Sequence, residues 1–164
     1  MRAISMWQPW ASAAVRGSKI IETRHWATDY RGPLAIHAAK RKIVGELVSY
    51  SCMWNWNGAL GTKMGAGYEA FVQSLAFGAI VGVVNLVDCR RSESFTLGEL
   101  GTPRRPEGAE THHYNWTEIQ LGDFSPGRFG WVFENARMLK EPIPYKGTQN
   151  FFNVPDELLR EVAS

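Results

Sequence analysis

The sequence predicts an α+β domain, in which a small mixed β-barrel of about five to six strands carries short flanking helices. Short apolar segments typical of strands occur along the whole chain, the helical segments between them are brief, and long polar stretches connect them. The 164 residues fit one domain, 1–164, and a hydrophobic content of 45% is sufficient for a core without disulfides or metal.

The N-terminal quarter of the chain is predicted as a strand at 2–5, a helix at 8–17 and strands at 20–24 and 33–38. The helix is expected because Pro9 suits the first helical position, where its missing N–H costs nothing. Gly17 is a typical C-terminal stop. The strand segments are short, largely apolar and rich in β-branched residues.

The rest of the chain is predicted as helices at 41–50, 68–77 and 155–162 and strands at 79–88 and 129–139. The run at 79–88 is apolar on both faces and β-branched, which favours a central strand. Bulky residues alternate in the strand that starts at Phe129. The stretches 51–67, rich in Gly, Trp and Asn, and 92–125, polar throughout, are expected to be loops.

Composition argues against several classes of protein. No apolar run is long enough for a membrane span and no secretory signal is visible, so we expect a cytoplasmic protein. Cys52 and Cys89 form no CxxC pair and are expected to be reduced thiols. The adjacent His112 and His113 are not spaced to hold one ion, so we expect neither a metal nor a cofactor.

Positive charge is concentrated in the N-terminal part. The formal net charge is +2, yet the first 50 residues hold eight Lys and Arg against three Asp and Glu, a net of +5. The remainder therefore carries −3. A basic half suits a partner that bears phosphates.

Five segments resemble the ASCH domain family, in its bacterial or phage type. They are 7–12 (WQPWAS), 17–24 (GSKIIETR), 30–38 (YRGPLAIHA), 122–128 (GDFSPGR) and 146–151 (KGTQNF), the last similar to a GxQGLW-like ending. The resemblance implies a PUA-like barrel with a cleft beside the first helix, and insertions at 51–78 and 90–121. It implies RNA or DNA binding more firmly than any one reaction.

Some members of that family are enzymes, which remove an acyl group from a modified cytidine or cut RNA. In the acyl-cytidine branch, a threonine nucleophile follows the lysine by three positions. Here that position is Glu22, and Thr23 comes one step later, so the amidohydrolase mechanism does not carry over as it stands.

Lys19 is the first candidate for function. It follows the Gly17-Ser18 turn, from which its ammonium is expected to reach a phosphate or to act as an activated amine or proton carrier. A plain surface lysine is the alternative. Glu22 and Arg24, two apart on a strand, share a face and either orient a ligand edge or simply pair with each other. Strict alternation puts Lys19 on the opposite face unless the turn relaxes it.

Three tryptophans surround this segment. We expect Trp7 and Trp26 to wall the cleft and to stack on bases, each contact contributing about 1–3 kcal/mol, and Trp10 to belong to the core. His37 is expected to be a hydrogen-bonded interior histidine. The remaining candidate nucleic-acid contacts are Gln8, Ser12, Tyr30, Arg31, Lys40 and Arg128.

Three hypotheses follow for the function. The first is a nucleic-acid-binding module in which Lys19, Arg24 and Arg31 contact phosphates while Glu22 and Gln8 read a base edge. It suits single-stranded, flipped or terminal nucleotides, or a nucleotide-like ligand. The second is a hydrolase of RNA or a modified nucleoside, with Lys19 and Glu22 as general acid and base. The third is a protein-interaction module in a transcriptional or phage complex. RNA against DNA, and the oligomeric state, stay open.

Overall fold

The computed structural model describes residues 1–41, 60, 67–101 and 117–160. Its strands are β1 (Arg2–Met6), β2 (Ile21–Arg24), β3 (Gly32–Ala38), β4 (Ala79–Arg91), β5 (Phe129–Pro144) and β6 (Phe152–Asn153). Its helices are α1 (Trp10–Val15), α2 (Gly67–Gln73), α3 (Leu97–Gly101) and α4 (Glu118–Leu121), with 3₁₀ turns at Ser92–Ser94 and Asp156–Leu159. No helix of the described ranges is long and apolar enough to cross a membrane.

The six strands form one mixed sheet in the order β2-β5-β4-β3-β1-β6. Only the β1–β3 pair is parallel among these strands, and the other neighbours run antiparallel. The α+β prediction is confirmed, but the sheet is not closed as a barrel requires. Two strands form its edges, because among the described strands β2 pairs with β5 alone and the two-residue β6 pairs with β1 alone.

Both faces of the sheet are covered, which explains why the central strands are apolar on both sides. One face buries Leu34, Ile36 and Trp131 against α1. The other face buries Ala35 and Val83 in a separate cluster. Helix α1 lies directly on the sheet at Gly82, where a Cβ would come within 2.7 Å of the Val15 side chain.

Most predicted strands and helices are confirmed, with shifted ends. Helix α1 is shorter than the predicted 8–17, because Pro9 is its N-cap rather than its first residue, while Gly17 adopts the left-handed φ of 74° expected after a helix end. The C-terminal helix predicted at 155–162 is a 3₁₀ turn over Asp156–Leu159 in the described part. Apart from residues 41, 60 and 67, the predicted helix at 41–50 and loop at 51–67 lie outside the described residues.

The prediction of a loop over 92–125 is wrong for much of its described part, although residues 122–125 are neither helix nor strand. Helix α3 and helix α4 both lie there and pack against each other. Helix α4 starts with a capping box between Thr117 and Gln120, and Leu121 at its end is buried among apolar side chains of the α2 region. Tertiary packing therefore orders helices α3 and α4, although the sequence around them is polar.

Candidate nucleic-acid interface

A half-open cleft of about 890 Å³ lies beside the ends of three strands of the sheet. Three strands end there, since Trp7 follows β1, Lys40 follows β3 and Arg24 ends β2. Because β1 and β3 are parallel and Met6 is level with Ala38, their carboxyl ends open on the same side. The segment between β5 and β6, residues 145–150, lines the cleft as well.

The described lining of this cleft is positively charged. It contains the cations Arg24, Lys40 and Lys146, together with His25 and His37, and no carboxylate. Lys40 and Lys146 have no ion-pair partner in the described ranges, and both are exposed. The cleft therefore attracts anions.

Two tryptophans line the cleft in different ways. Trp7 is 48% exposed, so its ring is available for stacking. Trp26 is half-buried and held edge-on by Trp131 and Phe151, with ring centroids 4.6 and 5.4 Å away. Trp10 packs against the core as expected and donates its indole N–H to the Leu121 carbonyl at 2.7 Å.

Arg24 is fixed in the wall of the cleft. Its Nε lies 3.2 Å from a Glu22 carboxylate oxygen, and its Nη2 donates to the Ser5 carbonyl at 2.7 Å. Glu22 thus pairs with Arg24, as their shared strand face predicts. That carboxylate compensates part of the positive charge that Arg24 brings to the cleft.

Lys19 is fully buried and does not line the cleft. Its ammonium donates to the carbonyl oxygens of Ile21 and Leu121 and lies 3.7 Å from Glu22 and 3.9 Å from Glu118. Because Lys19 precedes β2, the strict alternation of strand faces does not apply, and it meets Glu22 after all. We call Lys19, Glu22 and Glu118 the buried ionic cluster.

Sequence reasoning missed Glu118, the second carboxylate of this cluster. It is fully buried, and its Oε1 accepts a hydrogen bond from the Ile20 N–H at 2.6 Å. Glu118 lies in the stretch that composition assigns to a loop, far along the chain from Lys19. The capping box at Thr117 and Gln120 was the available signal for helix α4.

Gln8 and Ser12 serve helix α1 rather than the cleft. Gln8 is buried, and its side-chain amide donates to the Ala76 carbonyl at 2.8 Å and accepts from the Ser12 N–H at 3.1 Å. Both polar ends of the Gln8 side chain are therefore engaged within the protein, and neither residue lines the cleft.

Tyr30, Arg31 and Arg128 stabilise loops outside the cleft lining. The Tyr30 hydroxyl donates to the Pro33 carbonyl at 2.5 Å, and Arg31 pairs with Asp88 at 3.5 Å. Arg128 donates to the Thr23 carbonyl at 3.1 Å and also lies near a neighbouring acid. The structure thus brings only Trp7, Arg24, Trp26 and Lys40 of the predicted residues into the cleft lining.

His37 lies at the floor of the cleft and is buried, as expected of an interior histidine. Its Nε2–H donates to the Tyr145 carbonyl at 3.0 Å, and its Nδ1 faces the Ser5 hydroxyl at 3.0 Å. That hydroxyl also lies 3.0 Å from the Thr148 carbonyl, and it has one proton to share between the two. Burial lowers the pKa of His37, which favours the neutral imidazole.

The described residues offer no metal centre, because nowhere in these ranges do three His, Cys, Asp or Glu side chains converge. Cys89 is a free, half-buried thiol whose pKa is raised by burial. It lies outside the cleft lining.

Comparison with known proteins places this fold. The family model for the ASCH domain matches residues 4–142. Activating signal cointegrator 1 of Homo sapiens and that of Mus musculus are each 35% identical to the chain over 92 residues, which is 56% of this chain and 15% of the relative's length. A mutant of ZmASCH from Zymomonas mobilis has a similar fold, with a TM-score of 0.50 and 14% identity over 98% of this chain and 94% of that one. Because the family model covers most of the sequence, the protein belongs to the ASCH domain family.

Proposed function

We propose that the protein binds single-stranded RNA or DNA in the cleft. The observation that carries the proposal is a cleft whose described lining combines one arginine and two lysines with a half-exposed tryptophan and no carboxylate. Cations that contact phosphates release counterions, and an indole ring offers a stacking surface to any base. Residues Trp7, Arg24, Trp26 and Lys40 make these contacts, and Lys146 joins them.

The size of the cleft supports a single strand or a strand end. Its volume of about 890 Å³ falls in the range of sites for small ligands, roughly 300–1,000 Å³, rather than of a surface that holds a long duplex. A nucleotide whose base stacks on Trp7 can place its phosphate near Lys40 and Lys146, since all three line the same cleft.

The buried ionic cluster contributes to this function indirectly. Glu22 holds Arg24 at 3.2 Å and is itself held by Lys19, so the cluster orients the one guanidinium of the cleft lining. The hydrolase alternative, with Lys19 and Glu22 as acid and base, requires a substrate to reach an ammonium that is fully buried here. The cleft cations need no such rearrangement, so the binding module is favoured.

The experiment that tests the proposal is a titration against a short labelled single-stranded RNA, single-stranded DNA and duplex DNA at two salt concentrations. Lys40→Ala and Lys146→Ala are compared with Lys140→Ala, an exposed lysine of β5 outside the cleft lining. Each cleft variant is expected to weaken binding and to reduce the slope of log K against log salt by about 0.7 for a single strand.

The control variant Lys140→Ala is expected to bind like the unaltered protein. Loss of binding in all three lysine variants alike would indicate non-specific attraction and contradict the cleft. No binding of any of the three nucleic acids would overturn the proposed function. Tightest binding to the duplex would overturn the preference for a single strand.

A further inference from the structure

The segment between β5 and β6 contains backbone hydrogen-bond donors that no acceptor of the described residues engages. The backbone N–H groups of residues 146–150 have no acceptor within the described part of the chain, and all five residues line the cleft. A backbone N–H is a strong donor that binds water or a ligand when no protein acceptor is near. Successive N–H groups without partners form a typical binding surface for an anion.

This segment is nevertheless held in place by its carbonyl oxygens and by its first side chain. The Tyr145 carbonyl accepts from His37 and the Thr148 carbonyl lies 3.0 Å from the Ser5 hydroxyl. Tyr145 also donates its N–H to the Gly78 carbonyl at 3.0 Å and its hydroxyl to the Asn153 carbonyl at 3.0 Å. The protein thus holds the segment through Tyr145 and the Thr148 carbonyl and leaves the N–H groups of residues 146–150 without a described acceptor, in a fixed arrangement that lowers the entropic cost of binding.

Gly147 makes this arrangement possible. A Cβ at this position would lie 2.3 Å from the His37 ring and 2.5 Å from the Ser5 hydroxyl oxygen. Only a glycine lets the backbone approach these two side chains so closely. The contact sets the distance between the backbone of the segment and the side chains of His37 and Ser5.

The charge around the segment is suited to a doubly charged anion. Lys40 and Lys146 are exposed and lack ion pairs in the described ranges, whereas Arg24 is paired with Glu22. The described lining therefore offers two positive charges that no described carboxylate compensates. An internal phosphodiester carries one negative charge, while a phosphate monoester carries about −1.5 to −2 at neutral pH.

We propose that the 145–150 segment, with Lys40 and Lys146, binds the terminal phosphate monoester of a nucleic-acid strand. The proposal rests on the proposed function and gives it a substrate class, namely strands that end in a phosphate. Backbone N–H groups bind the phosphate oxygens by charge-assisted hydrogen bonds, and the two lysines neutralise its charge. Trp7 then stacks on the terminal base. Recognition of the phosphate is independent of base identity, because no side chain of the segment needs to read the base.

The test uses one short oligonucleotide, labelled internally, with a 5′-phosphate, a 3′-phosphate or hydroxyl groups at both ends. The intact chain is expected to bind one phosphorylated form roughly tenfold more tightly than the hydroxyl form. The preferred form identifies which strand end the segment binds. Inorganic phosphate is expected to compete, and to shift the backbone amide resonances of residues 146–150.

Gly147→Ala is expected to abolish the preference for a terminal phosphate, because the added methyl group forces the segment away from His37. The matched control is Gly98→Ala on α3, whose Cβ would meet the Thr96 hydroxyl at 3.8 Å among the described residues, an ordinary van der Waals contact. Ser5→Ala removes the hydroxyl near the Thr148 carbonyl without adding bulk, and it provides the test if Gly147→Ala fails to fold. It is expected to reduce the preference in the same direction.

The outcomes separate this proposal from the proposed function. Equal affinity for phosphorylated and hydroxyl strands overturns the phosphate site and leaves single-strand binding standing. Amide shifts with inorganic phosphate but no binding of any oligonucleotide overturn the proposed function and leave the anion site. If phosphate causes no amide shifts and no oligonucleotide binds, both proposals are overturned.

Discussion

The protein uses lysines in two contrasting environments. Lys19 is fully buried, with its ammonium between two carboxylates and two backbone carbonyl oxygens. Lys40 and Lys146 are exposed at the cleft, and the described ranges contain no ion-pair partner for either. A buried cation must be compensated on the spot, whereas an exposed one keeps its charge for a ligand. The residue type is the same, and the surroundings decide the role.

The contrast explains why Lys19 supports the wall of the cleft from inside the protein and does not itself line the cleft. The ion pair between Lys19 and Glu118 connects the start of β2 to α4. Glu22 pairs with both Lys19 and Arg24, so it links this cluster to the cleft. Arg24 alone of these four residues reaches the cleft lining. Substitutions in the cluster should therefore change stability first, and substitutions at the cleft should change binding first.

The largest expected effect is that of Lys19→Ala on stability. Removing the ammonium takes its cation from the buried Glu118 and leaves Glu22 paired with Arg24 alone, and breaking a buried ion pair costs about 3–5 kcal/mol. Urea denaturation measures the free energy of unfolding. Lys140→Ala, an exposed lysine, is expected to stay within about 0.5 kcal/mol of the unaltered protein.

A Lys19→Ala protein as stable as the Lys140→Ala control would break the comparison. The Lys19 ammonium would then be accessible to solvent, and it would again be a candidate general acid for the hydrolase hypothesis. Loss of nucleic-acid binding in Lys19→Ala is informative only if the variant is folded, because an unfolded chain has no cleft.

The positions of the strands along the chain could be predicted from the sequence. Which strands lie next to each other in the sheet could not. The segments at 2–5, 20–24 and 33–38 are strands because short apolar, β-branched runs fit a pleated, buried surface. The open edge of the sheet depends on how long β2 and β6 are, which local composition does not determine. Helix α4 was missed because its burial comes from contacts with residues distant in sequence.

The candidate site was predicted in part for a similar reason. Trp7 and Lys40 follow strands, so their proximity depends on strand pairing, which the sequence alone does not determine. The burial of Lys19 depends on Glu118, and no spacing rule connects residues so far apart. The donors of residues 146–150 are backbone groups, which every sequence has and no residue pattern reveals.

The second expected effect concerns the two tryptophans of the cleft. Trp7→Ala is expected to weaken single-strand binding by about 1–3 kcal/mol with little change in stability, because the ring is 48% exposed. Trp26→Ala is expected to lower stability as well, since its ring packs on Trp131 and Phe151. Binding isotherms and denaturation curves of both variants separate the two roles.

Leu97→Ala is the matched control, because this side chain is 81% exposed and lies outside the cleft lining. It should change neither quantity. If Trp7→Ala and Leu97→Ala bind a single strand with equal affinity, the prediction that a base stacks on Trp7 is wrong. The cleft then binds through its charge without that stacking contact.

The smallest expected effect is a dependence of stability on pH that arises from His37. The basic side chains that line the same cleft as His37 are Arg24, His25, Lys40 and Lys146, and the described lining contains no carboxylate. Its pKa is lowered from 6.5 in the folded protein, chiefly by burial, so the unfolded chain takes up a proton there at a higher pH than the folded one. Stability is thus expected to fall as the pH drops through about 6.5, and to stop falling below the folded pKa.

His37→Gln removes this proton uptake while keeping a polar side chain, so its stability is expected to vary less between pH 7.5 and pH 5 than that of the unaltered protein. The other histidines are present in both proteins and cancel in the difference. Glu99, whose pKa is lowered to about 2 by its hydrogen bonds to Thr96 and Arg90, loses its contribution only below its ordinary value of 4.5 and does not overlap this range. Identical pH profiles for the two proteins would show that His37 is protonated as readily when folded as when unfolded. In that case the Ser5 hydroxyl can donate to the Thr148 carbonyl while Nδ1–H donates to Ser5, and the 145–150 segment is held by a charged imidazole instead of a neutral one.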